Sequence, residues 1–327
     1  NNLNVEFLNP AQIEEGFYVE TGWTSIGNKI KVPTKKSSWK VIGNKILTDK
    51  NPVTLEWQNG NGIIFRKIIE LDNKYLFKIK QEIQNKSNQS IDLYPYAQIT
   101  RNKIPDDIQN FYISHEGFIG VFDEELKEDD YDDIKEKKII REANEGWLGI
   151  TDKYWIAAIV PKTGENFKST FLYKNGYKAN YILNNPVKIK PNSTNSSESR
   201  LFVAAKEVNT IDSYAADQKI NKFDLVIDWG WFYFFTKPLF FIIDYLFKYF
   251  GNFGTAIVII TIGIRLIFFP LANFSFRSMA FLSLVLNSTY YSFCHTSSLR
   301  FSQCVLQLYL YPLFKITAIC KRVILVC

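Results

Sequence analysis

One run of residues is apolar enough and long enough to cross a membrane. Residues 254–272 contain a single charged side chain, Arg265. As a helix this run would measure about 28 Å, close to the thickness of a bilayer's hydrocarbon core. We therefore expect one membrane-spanning helix here, with the large preceding region folded outside the bilayer.

The charge inside this span constrains its surroundings. Arg265 lies two positions beyond the middle of the run. A charge at that depth costs about 2.5–3.5 kcal/mol on insertion scales, so its side chain is expected to face protein or a water-filled cavity. Thr261 lies four residues earlier and would share its helix face. The pair predicts a narrow polar stripe. In the alternative, structural interpretation, Arg265 extends to the interface or pairs with another helix.

The residues just before the span are aromatic but too charged to cross a membrane. Pro238 is expected to start a helix that runs to Phe250, with Asp244 and Lys248 four residues apart on one polar face. We interpret this helix as lying in the membrane interface. The alternative is a buried core helix. The charged residues that interrupt residues 223–250 are Asp224, Asp228, Lys237, Asp244 and Lys248.

The first 220 residues carry the pattern of many short strands. The β-prone residues 53–57 and 63–69 flank a Gly/Asn-rich turn, which predicts a hairpin. Apolar and charged residues alternate over residues 75–83, as in a half-buried strand. Further runs lie at 91–100, 154–160, 181–190 and 201–206. Pro95 predicts an edge or bulged strand. This pattern predicts an all-β domain, a large antiparallel β-sandwich.

Two polar stretches interrupt the strands. Residues 123–138 hold nine acids and four lysines, and we expect a solvated loop or surface helix. Their order lacks the alternating carboxylates, Gly and Glu of a calcium loop. Residues 191–199 are expected to form a polar turn or linker. We expect His115 to be a hydrogen-bonded structural residue rather than a general base.

Charge and composition exclude several classes of function. The net charge is +6, of which residues 1–222 contribute about +1 and the remainder +5. A near-neutral domain with a basic, apolar tail is unlike a nucleic-acid binder. All four cysteines follow residue 293, which argues against a disulfide framework or a zinc site. No nucleophile motif or phosphate-binding glycine loop is present, while about thirty acids in residues 1–222 leave catalysis by a pair of carboxylates open.

An ordered set of motifs runs from the β-rich region into the membrane span. In chain order they are residues 112–117 (YISHEG), 146–155 (GWLGITDKYW), 206–208 (KEV), 227–231 (IDWGW), 236–240 (TKPLF), 251–254 (GNFG), Arg265, 269–271 (FPL) and 278–280 (SMA). Together they resemble the YidC-type membrane protein insertases of the Oxa/Alb/YidC family, in their Gram-negative bacterial form. The resemblance covers residues from about position 3 to Ala280.

The resemblance implies four regions. Residues 1–220 would be a periplasmic β-sandwich ending in a helical linker, and residues 221–253 a linker with an interfacial amphipathic helix. Residues 254–280 would be a transmembrane helix with the start of a cytoplasmic segment. Residues 281–327 would be a divergent tail. The chain would be part of a multi-pass protein of the bacterial inner membrane, whose first and later membrane helices are not in this sequence.

The resemblance also implies a function. Arg265 and Thr261 would line a hydrophilic groove that is open to cytoplasm and lipid. The groove would admit the polar end of an incoming segment without full dehydration, while its apolar stretch passes into lipid. The expected partners are nascent membrane proteins, the Sec translocon, the lipid bilayer and, through cytoplasmic parts, the ribosome. No metal or cofactor is expected.

Other interpretations stay open from sequence. Residues 281–327 hold no acid and all the cysteines, where the family would continue with a Lys- and Met-rich charged hairpin. A shifted reading frame or artefactual join explains this, or a genuine divergent tail with residues 305–319 as a poor membrane segment. The sandwich could also serve a membrane-tethered carbohydrate-active or sugar-binding protein that uses two close carboxylates, or act only as a docking domain.

Overall fold

The fold is given by a computed structural model that describes residues 7–28, 30–105, 108, 115–230 and 232–296. The chain divides into two compact units between Tyr233 and Phe234. The strands are β1 (Phe17–Thr24), β2 (Lys40–Ile42), β3 (Val53–Gln58), β4 (Ile63–Leu71), β5 (Leu76–Asn85), β6 (Ile91–Arg101), β7 (Gly117–Phe122), β8 (Glu125–Asp129), β9 (Ile139–Ala143), β10 (Gly146–Thr151), β11 (Trp155–Pro161), β12 (Phe167–Tyr173), β13 (Tyr177–Leu183), β14 (Val187–Ile189) and β15 (Ser193–Ala205). The helices are α1 (Tyr131–Glu136), α2 (Val208–Asp217), α3 (Tyr233–Phe250) and α4 (Phe253–Thr296).

The strands of the first unit form two antiparallel sheets. One is nine-stranded, in the order β2-β3-β4-β5-β15-β11-β10-β7-β8. The other follows the order β1-β6-β13-β12-β9, with β14 also paired to β6. Because side chains alternate between the two faces of a strand, each sheet can bury one face against the other. The expected all-β domain, a sandwich followed by a helical membrane segment, is confirmed.

The core between the sheets is built from alternate residues of both. Phe17, Ala97 and Ile99 come from one sheet, and Phe118 and Ile150 from the other. All of them are essentially inaccessible to solvent. Because strands from distant parts of the chain meet here, this core depends on pairings that are far apart in sequence.

The expected hairpin at residues 53–69 is present. β3 and β4 pair with Trp57 opposite Phe65. The turn between them is closed by Asn59, whose Oδ1 accepts hydrogen bonds from the backbone N–H groups of Asn61 and Ile63 at 2.7 and 3.1 Å. Gly60 has a φ of 81°, a conformation that favours glycine.

The expected edge position of the strand that contains Pro95 was wrong. β6 lies inside its sheet, between β1 and β13. On one side Pro95 is opposite Trp23. On the other side pairing with β13 stops at Tyr96 and pairing with β14 begins at Leu93. Proline is tolerated here because it lies opposite the gap between two partner strands, where no ladder hydrogen bond is lost.

The two polar stretches are also more ordered than their composition suggests. Residues 193–199, expected as a turn or linker, are the first half of β15 and pair with β5 from Ser193 opposite Asn85 onward. Long-range pairing here overrides the low strand propensity of Ser and Asn. Within residues 123–138 the chain forms β8 and α1, and Tyr131 and Ile134 of α1 are buried.

A second apolar cluster covers the outer face of the nine-stranded sheet. Ile211 of α2 packs there with Phe223, which follows α2 in the chain. The Phe223 ring lies 5.4 Å from that of Trp147, in edge-to-face geometry. The Trp147 indole N–H donates to the carbonyl of Asn221 at 3.1 Å. The segment that leaves the β domain is therefore fixed to the sheet by apolar contact and by a hydrogen bond.

One lysine is largely buried within the sandwich. The Lys67 amine donates a hydrogen bond to the carbonyl of Thr21 and lies 5.3 Å from the centre of the Trp39 ring. Burial lowers the pKa of Lys67 to about 8, although Glu20 acts in the opposite direction. The amine therefore begins to lose its charge near neutral pH.

Replacing Lys67 with Met should change how stability depends on pH. Because the folded-state pKa is depressed, the folded protein holds fewer protons than the unfolded chain between about pH 8 and 10.5, and the free energy of unfolding rises with pH there. From pH 7 to 9.5 wild type should gain about 2 kcal/mol relative to Lys67→Met in urea unfolding. Gln81→Met, a change at its buried cross-strand neighbour, is the non-titrating control. If the free energies of unfolding of wild type and Lys67→Met changed in parallel with pH, the lowered pKa of Lys67 would be contradicted.

Candidate membrane-embedded site

The second unit begins with the aromatic helix α3. The helix starts at Tyr233. Pro238 therefore lies within the helix, whereas the sequence predicted that Pro238 starts it. Pro238 has no N–H and therefore donates no hydrogen bond within the helix. The Lys248 amine lies 2.6 Å from the Asp244 carboxylate, one turn apart on the same face. The pair neutralises two charges in a helix that is otherwise largely apolar.

The start of the membrane-spanning helix α4 is set by its cap. Gly251 adopts a φ of 65° and ends α3, with its N–H donating to the carbonyl of Phe247 at 2.8 Å. Asn252 then caps α4, because its Oδ1 accepts a hydrogen bond from the N–H of Thr255 at 3.1 Å. Within α4, residues 253–279 are apolar enough to cross a membrane, with a mean hydropathy of 2.2.

The described part of α4 is longer than the expected span. It continues without interruption to Thr296, and a 44-residue helix measures about 66 Å, roughly twice the hydrocarbon thickness of a bilayer. The first sixteen residues of the predicted divergent tail are thus helical. The predicted segment at residues 305–319 lies outside the described residues.

Arg265 and Thr261 occupy one face of α4. Because they are four residues apart in a continuous helix, their side chains follow one another along the axis. The Thr261 hydroxyl donates to the carbonyl of Ile257 at 2.7 Å, which leaves its oxygen lone pairs free to accept. No Asp or Glu occurs in α4, so Arg265 has no counter-ion within its own helix.

A proline adds a further polar group close to Arg265. Pro270 lies inside α4 and has no N–H to donate to the carbonyl of Leu266. That carbonyl is next to Arg265 in the chain. The helix therefore presents a guanidinium donor, a hydroxyl acceptor and a backbone carbonyl without its usual donor within a few turns of one another.

Three charged residues from different motifs, Asp152, Lys206 and Asp228, interact electrostatically, and Asp152 also pairs with Arg101. Arg101 lies with a nitrogen 2.5 Å from the Asp152 carboxylate and 3.4 Å from the Tyr131 hydroxyl. Burial alone would lower the pKa of Arg101, but Tyr131 and Asp152 raise the pKa above its ordinary value. The Lys206 amine donates to the Thr151 hydroxyl at 3.2 Å. The ion pair with Asp152 thus compensates the charge of Arg101, which the fold has largely removed from water.

Burial lowers the pKa of Lys206, and the nearby carboxylates of Asp152, Glu116 and Asp228 oppose this shift. A cavity of about 330 Å³ beside it is lined by Lys153, Tyr154 and Asp228, among others. Sequence reasoning singled out these motifs but did not bring them together, because they lie on different strands and in the exit segment.

His115 has the structural role that its isolation in the sequence suggested. One ring nitrogen is 2.9 Å from the carbonyl of Phe118, and the other is 3.6 Å from the Asp130 carboxylate. These contacts tie the start of β7 to the residue before α1. The preceding motif residues 112–114 lie outside the described residues.

Comparison with known proteins identifies the family. Residues 1–242 match the family described as the YidC periplasmic domain. The chain belongs to the YidC family. The resemblance carried by the sequence motifs is therefore confirmed. With the apolar helix α4, YidC-family membership places the chain in the bacterial inner membrane, with its β domain in the periplasm.

Relatives of this YidC-family chain come from several bacteria. It is 49% identical over 284 residues to a membrane protein insertase YidC of Pelagibacter ubique (strain HTCC1062), covering 87% of this chain and 51% of the relative. It is 39% identical over 287 residues to one from Brucella suis biovar 1, covering 86% and 47%. A relative from Rickettsia bellii is 39% identical over 287 residues, covering 85% and 51%. The chain spans about half the length of these curated relatives.

One solved structure shows a weak likeness to the chain. A galactose mutarotase related enzyme from Lactobacillus acidophilus is 12% identical with a TM-score of 0.38, covering 56% of this chain and 78% of that enzyme. A similarity at this level supports no functional argument for the YidC-family chain.

Removing the partner of the buried arginine should destabilise the β domain. Asp152→Asn leaves the Arg101 charge uncompensated among groups that are largely buried, and we expect a loss of about 3 kcal/mol in the free energy of unfolding. The measurement is urea unfolding of the full chain in detergent, followed by β-sheet circular dichroism. Asp217→Asn is the matched control, because that side chain is exposed and its change should cost less than about 0.5 kcal/mol. Equal effects from the two variants would show that the ion pair does not stabilise the domain.

Proposed function

We propose that the chain is part of a membrane protein insertase and chaperone, which helps integral membrane proteins insert and fold in the inner membrane, alone or with the Sec translocon. One observation carries this proposal. An arginine without a counter-ion in its own helix shares a face of the apolar helix α4 with a hydroxyl oxygen one turn away. The curated relatives are named membrane protein insertases, which supports the proposal.

Arg265 would make part of the membrane accessible to polar groups. Its charge is tolerated at bilayer depth only where water or protein faces it. A hydrated groove along this face would let the polar end of an incoming segment leave bulk water while keeping hydrogen-bonding partners. The apolar part of the segment would then move sideways into lipid, where it is favoured.

Two side chains offer complementary hydrogen-bonding groups. The guanidinium of Arg265 only donates, so it suits the carbonyl and carboxylate oxygens of an incoming segment. The oxygen of Thr261 can accept from backbone N–H groups, because its own hydrogen is donated to Ile257. Their combined effect would be to lower the desolvation barrier of insertion. No bond is made or broken, so the proposed activity is not enzymatic and needs no cofactor.

The proposal assigns roles to the other regions. Residues 1–220 would form the periplasmic β-sandwich, and residues 221–253 a linker with the interfacial helix. Within that helix Lys237 and Pro238 lie near the start, while the pair of Asp244 and Lys248 would face the headgroups. Residues 254–280 would span the membrane and enter the cytoplasm. Residues 281–327 would be the divergent tail.

The proposed partners follow from this activity. Nascent membrane proteins would be the substrates, and the lipid bilayer would receive them. The Sec translocon would supply some of them, and the ribosome would bind through cytoplasmic parts of the whole protein. No nucleic-acid readout is proposed.

Replacing Arg265 tests the groove in a complete protein. Residues 1–280 can be grafted in place of the matching part of the Pelagibacter ubique relative and expressed in cells depleted of their own insertase. Arg265→Ala in this chimera should lower growth and insertion of a reporter membrane protein several-fold, because the groove loses its charge. The readout is the fraction of reporter protected from protease in the membrane.

Two further variants make the result specific. Arg277→Ala removes the other arginine of α4 in the chimera and should leave insertion near wild type. Arg265→Lys keeps the positive charge and should recover most of the activity. Full complementation by both Arg265→Ala and Arg265→Glu would overturn the groove role.

A further inference from the structure

One segment of the β domain concentrates positive charge. Residues 29–50 hold seven lysines and one acid, Asp49, and so carry a formal charge of +6. Since residues 1–222 carry about +1 in total, the rest of that region is close to −5. The lysines are Lys29, Lys31, Lys35, Lys36, Lys40, Lys45 and Lys50.

Few of these lysines are neutralised by the fold. Lys35 forms an ion pair with Glu20 at 3.0 Å. Lys40 lies opposite Glu56, but that carboxylate is held by Arg66 at 2.9 Å. In the part of the chain that the structure describes, Lys31, Lys36, Lys45 and Lys50 form no ion pair within 4.0 Å. Most of the positive charge is therefore presented to solvent.

Aliphatic side chains are exposed among the lysines. Every residue from Lys40 to Ile46 is exposed. The exposed fractions of Val41, Ile42 and Ile46 are 40%, 39% and 75%. Short, lysine-bearing edge strands are a common protection against edge-to-edge pairing, but that protection does not require an isoleucine that is three-quarters exposed.

The nine-stranded sheet is electrically polarised. Strand β2, which carries Lys40, ends the sheet on one side, and β8 ends it on the other. Residues 123–138, which contain β8 and α1, hold nine acids and four lysines and so carry −5. Strand β2, within the basic edge (residues 30–50), and strand β8, within the acidic edge (residues 123–138), thus lie at opposite ends of one sheet.

We propose that the basic edge docks on a bilayer surface that carries anionic phospholipid headgroups. Lysines are attracted to such a surface, and the aliphatic side chains between them can enter the headgroup region. The chain leaves the β domain beside the acidic edge, where Lys222 pairs with Glu124 at 2.7 Å, so docking of the basic edge would bring the opposite end of the sheet to the bilayer. A lipid surface is the favoured occupant because the chain is anchored in a membrane by α4, which gives that surface a high effective concentration. The inference depends on membrane attachment and not on insertase activity.

Amide hydrogen exchange of the full chain in vesicles tests the docking. The chain is reconstituted in phosphatidylcholine alone, or with about 30% phosphatidylglycerol added. Exchange at residues 40–46 should slow at least about threefold in the anionic vesicles, and the protection should vanish at about 0.5 M salt because screening shortens the electrostatic range. Exchange at the acidic edge should not slow.

Matched variants separate lipid docking from other causes. Lys40→Gln, Lys45→Gln and Lys50→Gln together should abolish the protection, whereas the control set Lys137→Gln, Lys138→Gln and Lys174→Gln should keep it. Ile46→Ser should weaken the protection, and Ile140→Ser, at another exposed edge isoleucine, should not.

Three outcomes would overturn the proposal. Equal exchange in neutral and anionic vesicles would mean that the lysines only protect the strand edge. Protection that grows with protein density regardless of lipid charge would assign the edge to a second copy, paired through its acidic edge. If both sets of Lys→Gln substitutions abolished the protection by anionic lipid equally, the protection would depend on the net charge of the protein and not on the basic edge.

Discussion

The domain depends on burial of the nine-stranded sheet on both faces over β7, β10 and β11. Nearly every residue of these strands is buried, because the second sheet covers one face and α2 with the exit segment covers the other. Two-sided burial explains their continuous apolar runs. It also fixes Phe223 and Asn221 against Trp147, so the route from the β domain to the membrane helix starts from a defined point.

Charges are placed according to how the fold can compensate them. Arg101 and Asp152 are removed from most solvent as a pair, and Lys206 lies among several carboxylates. The lysines of residues 31–50 remain largely exposed, and Arg265 has no counter-ion within its apolar helix. A charge without a partner needs water or an anionic group nearby. The proposed groove and the proposed lipid surface would each supply such surroundings.

Much of the fold could be predicted from local patterns. The hairpin around Gly60 and the alternation along β5 were readable because turn chemistry and strand periodicity are local. Pro95 led to the wrong prediction of an edge strand, because a proline fits inside the sheet here only through the gap between the partner strands β13 and β14. Residues 193–199 were predicted as a turn or linker from their polar composition, but their pairing with β5 makes them a strand. In the candidate membrane-embedded site, the spacing of Thr261 and Arg265 was readable, while the position of Pro238 within α3 was not.

The sequence by itself determined the apolar span, the charge within it and the shared face of Thr261 and Arg265. These follow from helix geometry, which relates residues only four positions apart. Only the tertiary structure decided that Arg101 meets Asp152 and that the basic and acidic edges lie at opposite ends of one sheet. Strand order is set by pairings between distant segments, and no local periodicity encodes which strands become neighbours.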